Sequence, residues 1–229
     1  MKIIADSRMP DQAKLTLERI GEVLFLEKQP FLYDAIASHP DIFFCQDGNQ
    51  LITAPNIPLG WINWLRTNKV SFSIGKTNLL GKYPNTAHYN GVITKELFIH
   101  NLKVTDHVIL EKVHSLNQIH VNQSYTRCNL ISLDENSFIT SDKGIEKQLL
   151  LIHKKVLFIG AGQILLPGQP YGFIGGCCGL VDGTLYVCGN FHSLKEAEKL
   201  QQIADDCSVN LVELFDGPLT DVGSIIFMS

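Results

Sequence analysis

Asp221-Val-Gly-Ser-Ile-Ile-Phe-Met228 closes on a short apolar run with neither a helix nor a hairpin partner beside it. Its stretch Gly223–Met228 reads as a lone β-strand, rich in branched and aromatic residues. A lone strand leaves its backbone N–H and C=O groups unpaired, so it must join an edge made elsewhere. The other end of the chain offers that edge. Ile3–Asp6 reads as a strand and Glu22–Leu26 as another. Between them Asp11–Ile20 reads as a helix, with Ala13, Leu17 and Ile20 on one face and Gly21 as its cap. Joined, the two ends make one unit of strand, strand, helix and strand.

The same unit recurs four times between them. The hairpins are Asp41–Ala54 turning at Asp47-Gly48-Asn49, Asn90–His100 turning near Thr94-Lys95, Asn129–Thr140 turning at Asp134-Glu135-Asn136, and Gly179–Cys188 turning at Asp182-Gly183. A helical segment follows each. Its start signals are Asn56 before Ile57-Pro58, Thr105, Asp142, and the capping-box spacing Ser193-Leu-Lys-Glu196. Each helix then leads to a β-rich run: Ser71–Ile74, Asn117–Val121, Lys155–Ile159 and Asn210–Leu214. Phe25, Phe72, Ile119, Phe158 and Val212, one in each of the five post-helix strands, stand 47, 47, 39 and 54 residues apart. Near-regular periods of this size mark closed arrays. The expectation is a single α/β domain spanning 1–229, a five-fold pseudosymmetric α/β propeller whose fifth unit is formed by both termini.

Composition narrows the function classes. The chain of 229 residues is 45% hydrophobic and 18% charged, as in ordinary globular domains. A net charge of −4 and dispersed Lys and Arg argue against a phosphate backbone as partner. No run approaches the ~18 apolar residues needed to span a bilayer. Met1-Lys2-Ile3-Ile4-Ala5-Asp6 meets an acid too early for a secretory leader, so a soluble cytoplasmic protein is expected. Six scattered cysteines without a C-x-x-C support neither a disulfide scaffold nor a zinc site, and no metal or cofactor is expected. Val156-Leu-Phe-Ile-Gly160-Ala-Gly162 imitates a dinucleotide fingerprint, but Leu166-Pro167-Gly168-Gln169-Pro170 precludes the helix that motif requires.

A ring of five such units resembles the pentein, or guanidine-modifying-enzyme, fold. Tyr125-Thr-Arg-Cys-Asn129, Leu133-Asp-Glu-Asn136, Leu166-Pro-Gly168, Tyr171-Gly-Phe-Ile-Gly-Gly176 and Asp216-Gly-Pro-Leu219 resemble an uncharacterised bacterial family of that fold. The resemblance implies deiminases, amidinotransferases and a ribosome anti-association factor as distant relatives. It also implies a nucleophilic cysteine in the last strand, where this chain has Phe227; no cysteine follows Cys207. The general base of the deiminases sits in a His-Asp or His-Leu-Asp run. His88, His100, His107, His114, His120, His153 and His192 all lack that setting.

The entrances to the hairpins carry the polar residues. Tyr89-Asn90, Cys128-Asn129, Cys177-Cys178 and Gly223-Ser224 stand at corresponding places, which a closed ring would gather on its axis. The expected ligand site is Asn90, Arg127, Cys128, Asn129, Cys178, Asp221 and Ser224. Amides and a hydroxyl orient a polar ligand; equally, asparagines cap turns. The glycines around Cys177-Cys178 either admit a ligand or shape an irregular loop. Cys128 is the candidate nucleophile, its thiol expected to be eased toward thiolate by Arg127, although buried inert cysteine is commoner. Asp6, Asp216 and Asp221 are the acids placed to hold a cationic substrate.

Three functions fit. The first is binding of a small polar guanidino or amino-acid-like molecule on the axis. The second is a hydrolase or amidinotransferase that uses Cys128 or Cys178. The third is a protein-interaction module, against which the acidic balance speaks.

Overall fold

The computed structural model describes residues 1–228. In chain order the elements are β1 (Lys2–Asp6), α1 (Asp11–Ile20), β2 (Glu22–Leu26), α2 (Pro40–Phe43), β3 (Phe44–Asp47), β4 (Gln50–Thr53), α3 (Leu59–Thr67) and β5 (Ser71–Ile74). Next come β6 (Val92–Ile93), β7 (Leu97–His100), α4 (His107–Lys112), β8 (Asn117–His120), α5 (Thr126–Asn129), β9 (Leu130–Ser132), β10 (Ser137–Thr140), α6 (Lys143–Leu151) and β11 (Lys155–Phe158). The last are β12 (Cys178–Val181), β13 (Thr184–Val187), α7 (Ala197–Asp206), β14 (Asn210–Glu213) and β15 (Ile226–Met228).

These strands form five three-stranded sheets of one design. In each, the middle strand runs antiparallel to the first strand of its unit and parallel to the strand after the helix. The sheet built from both ends follows the same rule: β15 lies antiparallel to β1, with Ile3 opposite Phe227, and β2 lies parallel on its other side. The fold is thus the pentein-like five-fold α/β propeller. The first strands of the units are innermost: β3 packs against β6 and β12 against β15.

Hydrogen bonds between the entrances to these inner strands run around the ring and close it. Asp41 N donates to Gly223 O, the Asn90 amide to Asp41 O, and Arg127 N to Asn90 O. The Arg127 guanidinium donates to Gly175 O, and Val222 N to Gly176 O. Each entrance therefore satisfies backbone groups of the next, which a strand alone cannot do.

Of the expected start signals Asp142 acts as read, and the others act differently. Asp142 caps α6 by accepting from Ile145 N. At α4 the cap is Asp106, while Thr105 turns its hydroxyl to His100. Asn56 bonds both backbone groups of Leu79, and α3 starts after Pro58. No capping box forms at Ser193: Asn190 first caps a 3₁₀ turn over Phe191–Ser193, so Glu196 instead accepts from Gly160 N. The lone strand is shorter than its apolar run, because Gly223 and Ser224 take φ of 67° and 68°.

Candidate functional site

Counting back from each inner strand shows what the ring brings together. Five residues before β3, β9, β12 and β15 stand His39, Tyr125, Phe173 and Asp221. All four line one cavity of about 170 Å³ on the entrance side of the axis, with Cys128, Tyr33 and Tyr171. Two residues before their inner strands stand Asn90, Cys128 and Ser224. These side chains meet the same carboxylate or its neighbours. Asp41 Oδ2 accepts from Cys128 Sγ at 3.1 Å and from Ser224 Oγ at 2.7 Å. The Asn90 amide donates to Asp41 O at 2.9 Å and Cys128 Sγ at 3.3 Å, while its oxygen accepts from Cys128 N.

His39 is 2% exposed and stands between two carboxylates. Its Nε2 is 3.7 Å from Asp6 Oδ2 and its Nδ1 is 4.0 Å from Asp221 Oδ1. At these separations the ring feels charge rather than a hydrogen bond. Asp6 is fixed from the other side by Arg8 and the Ser38 hydroxyl. Asp221 accepts Phe173 N and Gly223 N, one on each oxygen. Burial pushes its carboxyl above the usual range, against the pull of His39. The neighbouring glycines make room for it: a Cβ on Gly176 would lie 2.0 Å from Asp221 Oδ1. Of the two readings of that glycine-rich loop, this is the shaped loop, built around a buried acid.

The wall above is aromatic. Tyr33 and Tyr125 share a hydrogen bond between their hydroxyls, and Tyr125 is also bonded to Thr86. Tyr171 meets Phe173 edge to face. With their hydroxyls so engaged, Tyr33 and Tyr125 offer ring surface more than hydrogen bonds.

The residues named from sequence divide. Cys128 and Asp221 line the cavity. Asn90 and Ser224 lie fully buried beneath it. Asn129 does not join them: its amide donates to Tyr125 O and accepts from Ser141 Oγ. Cys178 begins β12 in the apolar core, and burial raises its thiol to about 12. Arg127 turns to the opposite mouth of the axis. The physical reason is register. Asn129 stands one residue before its inner strand and Cys178 at the start of its own, while Asn90 stands two before, so they point to different places. Arg127 also does not ease Cys128, whose thiol is raised by burial and by Asp41 and Asp221. Asp216 is exposed and does not line this cavity; it accepts from Asn190. Phe227 packs on Tyr186 in the core.

His39 and Asp41 were the residues the sequence reading missed. They stand two apart, in His39-Pro40-Asp41, a spaced His and Asp pair like the run sought among the other seven histidines. Among the described residues no group of His, Cys, Asp and Glu could hold a metal ion. No helix among them is long and apolar enough to cross a membrane.

Solved structures of known enzymes share this architecture. An amidinotransferase of the saxitoxin biosynthetic pathway from Microseira wollei matches with a TM-score of 0.55 and 11% identity, over 93% of this chain and 87% of that one. DDAH from Pseudomonas aeruginosa, complexed with citrulline, gives 0.52 and 11%, over 93% and 91%. C. jejuni agmatine deiminase gives 0.52 and 10%, over 92% and 75%. At such identities the likeness is one of fold. No curated protein matches the chain in sequence. A family model does, over residues 4–226, and the chain belongs to that family, described as a family of unknown function (DUF6873).

Proposed function

We propose that the entrance-side cavity binds a small organic cation of the guanidino or amino-acid-like class. One observation carries this reading: Asp221, 3% exposed, sits in a cavity walled by Tyr33, Tyr125, Tyr171 and Phe173. A buried carboxylate raised by desolvation gains from a cation that restores its ionised form. Aromatic faces add attraction for the same charge. The test is calorimetry with guanidine, agmatine and arginine, on the parent and on Asp221→Asn. Binding in the parent that falls at least tenfold in the variant is expected. An unchanged affinity in Asp221→Asn would remove the reading.

A second reading is catalytic, and a specific observation favours it: Cys128 opens into the same cavity as His39. Its resting state is a thiol, because burial and then the carboxylates of Asp41 and Asp221 oppose the thiolate. A bound cation offsets that opposition. The Cys128 thiol would pass its proton to Asp41 Oδ2, which already accepts its hydrogen bond, and the thiolate would attack the guanidinium carbon and form a C–S bond. The amine would leave with a proton from His39, and water or an acceptor amine would then displace the thiolate. Intact-mass detection of an amidino adduct, absent in Cys128→Ala, tests this step. Turnover that persists in Cys128→Ala would exclude it.

A further inference from the structure

The axis has a second mouth, on the hairpin side. A cavity of about 180 Å³ opens there, lined by Asp41, Gln46, Arg127, Ser132 and Leu180 among others. Asp41 is 1% exposed, and its Oδ1 receives no hydrogen bond from the described residues, although Oδ2 receives two. A buried carboxylate oxygen without a donor bears its desolvation uncompensated. Gln46 is fixed by its amide N–H groups, which donate to Gly48 O and Phe227 O. It therefore presents its carbonyl oxygen as a further acceptor. Arg127 is half-buried and donates to Gly175 O and Cys178 O. Both acceptors are carbonyl oxygens, and a guanidinium carries five N–H donors.

This lining accepts at one side and donates at the other. A lone cation meets Arg127, and a lone anion meets Asp41, each with the wrong sign. We propose that the hairpin-side cavity is a second binding site, for a small zwitterion such as a free α-amino acid. Its ammonium group bonds Gln46 and lies beside the buried Asp41 carboxylate, and its carboxylate bonds Arg127. The site goes beyond the cation reading of the other cavity and is separate from it. Asp41 joins the two: an ammonium beside its carboxylate offsets the negative charge that Oδ2 holds against the Cys128 thiol. Occupancy of the hairpin side therefore makes Cys128 easier to ionise.

The experiment is calorimetry of the full chain with glycine, using methylammonium and acetate as single-charge controls. It is run on the parent, on Arg127→Gln, on Asp221→Asn and on Leu180→Trp, which plugs the mouth without touching a charged group. In Asp221→Asn, whose entrance-side cavity no longer holds a cation, glycine is expected to bind where neither control does; its affinity is expected to match the parent's there and to weaken at least tenfold in Arg127→Gln and Leu180→Trp. Alkylation of Cys128 by iodoacetamide, followed by peptide mass mapping, is expected to quicken severalfold with glycine in the parent and not in Leu180→Trp. No binding of glycine, or acetate or methylammonium binding equally well in Asp221→Asn, would overturn the proposal. Binding lost in Asp221→Asn and kept in Leu180→Trp would place the ligand in the other cavity and overturn it as well.

Discussion

The entrance to β9 and the entrance to β15 occupy equivalent places in two units, and they differ in how they are held. Both put the residue five before the strand into the cavity, Tyr125 in one and Asp221 in the other. Both put the residue two before the strand on Asp41 Oδ2, as a thiol from Cys128 and a hydroxyl from Ser224. The first does so with a turn of ordinary helix, α5, which passes into extended backbone at Leu130. The second uses two successive left-handed residues, and the Asp221 carboxylate holds Gly223 N in place. Ser224 is sealed in, whereas Cys128 borders the cavity. The ring thus fixes where an entrance residue points. The local backbone decides whether that residue serves structure or chemistry.

The largest effect tests the second entrance as a whole. Deleting residues 222–229 removes β15 and leaves the inner edge of β1 unpaired, so cooperative unfolding should be lost. A truncated chain with the parent's melting curve would break the ring model. Next is Gly223→Ala. The position has φ of 67°, and a Cβ there would lie 2.1 Å from His39 Cβ. A cost of about 3–4 kcal/mol is expected in urea unfolding, because strain and overlap add. No comparable penalty should attend Thr126→Ala in α5.

Ser224→Ala and Cys128→Ala sharpen the comparison further. Losing the hydroxyl that donates to a buried carboxylate should cost about 2 kcal/mol. Losing the weaker thiol donor should cost about 1 kcal/mol or less by the same argument. A reversed order would mean that Cys128, not Ser224, is the structural partner of Asp41. Arg127→Ala should cost about 1–2 kcal/mol, since a half-exposed guanidinium bonded to carbonyls is at stake. A buried ion pair would instead cost about 3–5 kcal/mol when broken.

The smallest change in stability at neutral pH is expected for Asp221→Asn, and its signature lies in pH. The Asp221 carboxyl is raised in the folded protein by burial, so the folded state holds its proton longer than the unfolded state. Stability from this group is therefore present in acid and lost as pH rises from the unfolded pKa through the raised one. Asp221→Asn should flatten that segment of the stability curve. His100 gives the opposite sign and a control: burial lowers it to about 4, with its nitrogens bonded to Thr105 and Ser124 O. Its contribution is lost as pH falls from about 6.5 to about 4, and His100→Gln, not Asp221→Asn, should alter that arm.

Much of the fold was legible in the residues because strands announce themselves. Glu22–Leu26 and Ser71–Ile74 form where branched and aromatic residues cluster, and Asp182-Gly183 turns its hairpin. The site was only partly legible. Asn129 and Cys178 were placed beside Asn90 by likeness of residue type, yet α5 and the 3₁₀ turn over Gly175–Cys177 shift where each inner strand begins. A shift of one residue turns a side chain to another face. His39-Pro40-Asp41 keeps the spacing of a His-Leu-Asp run but has proline at its centre, so the motif does not single it out.

Apolar pattern, turn residues and an unpartnered last strand determined by themselves that five units form and that the two ends share one. Hydrophobic burial and backbone pairing are periodic, so they are written in order along the chain. Tertiary structure alone decided that His39, Tyr125, Phe173 and Asp221 face one cavity, and that Cys128 and Ser224 share Asp41. Those residues lie up to 183 positions apart, as Asp41 and Ser224 do. Their meeting depends on closure of the ring and on the register of each entrance, and no local spacing encodes either.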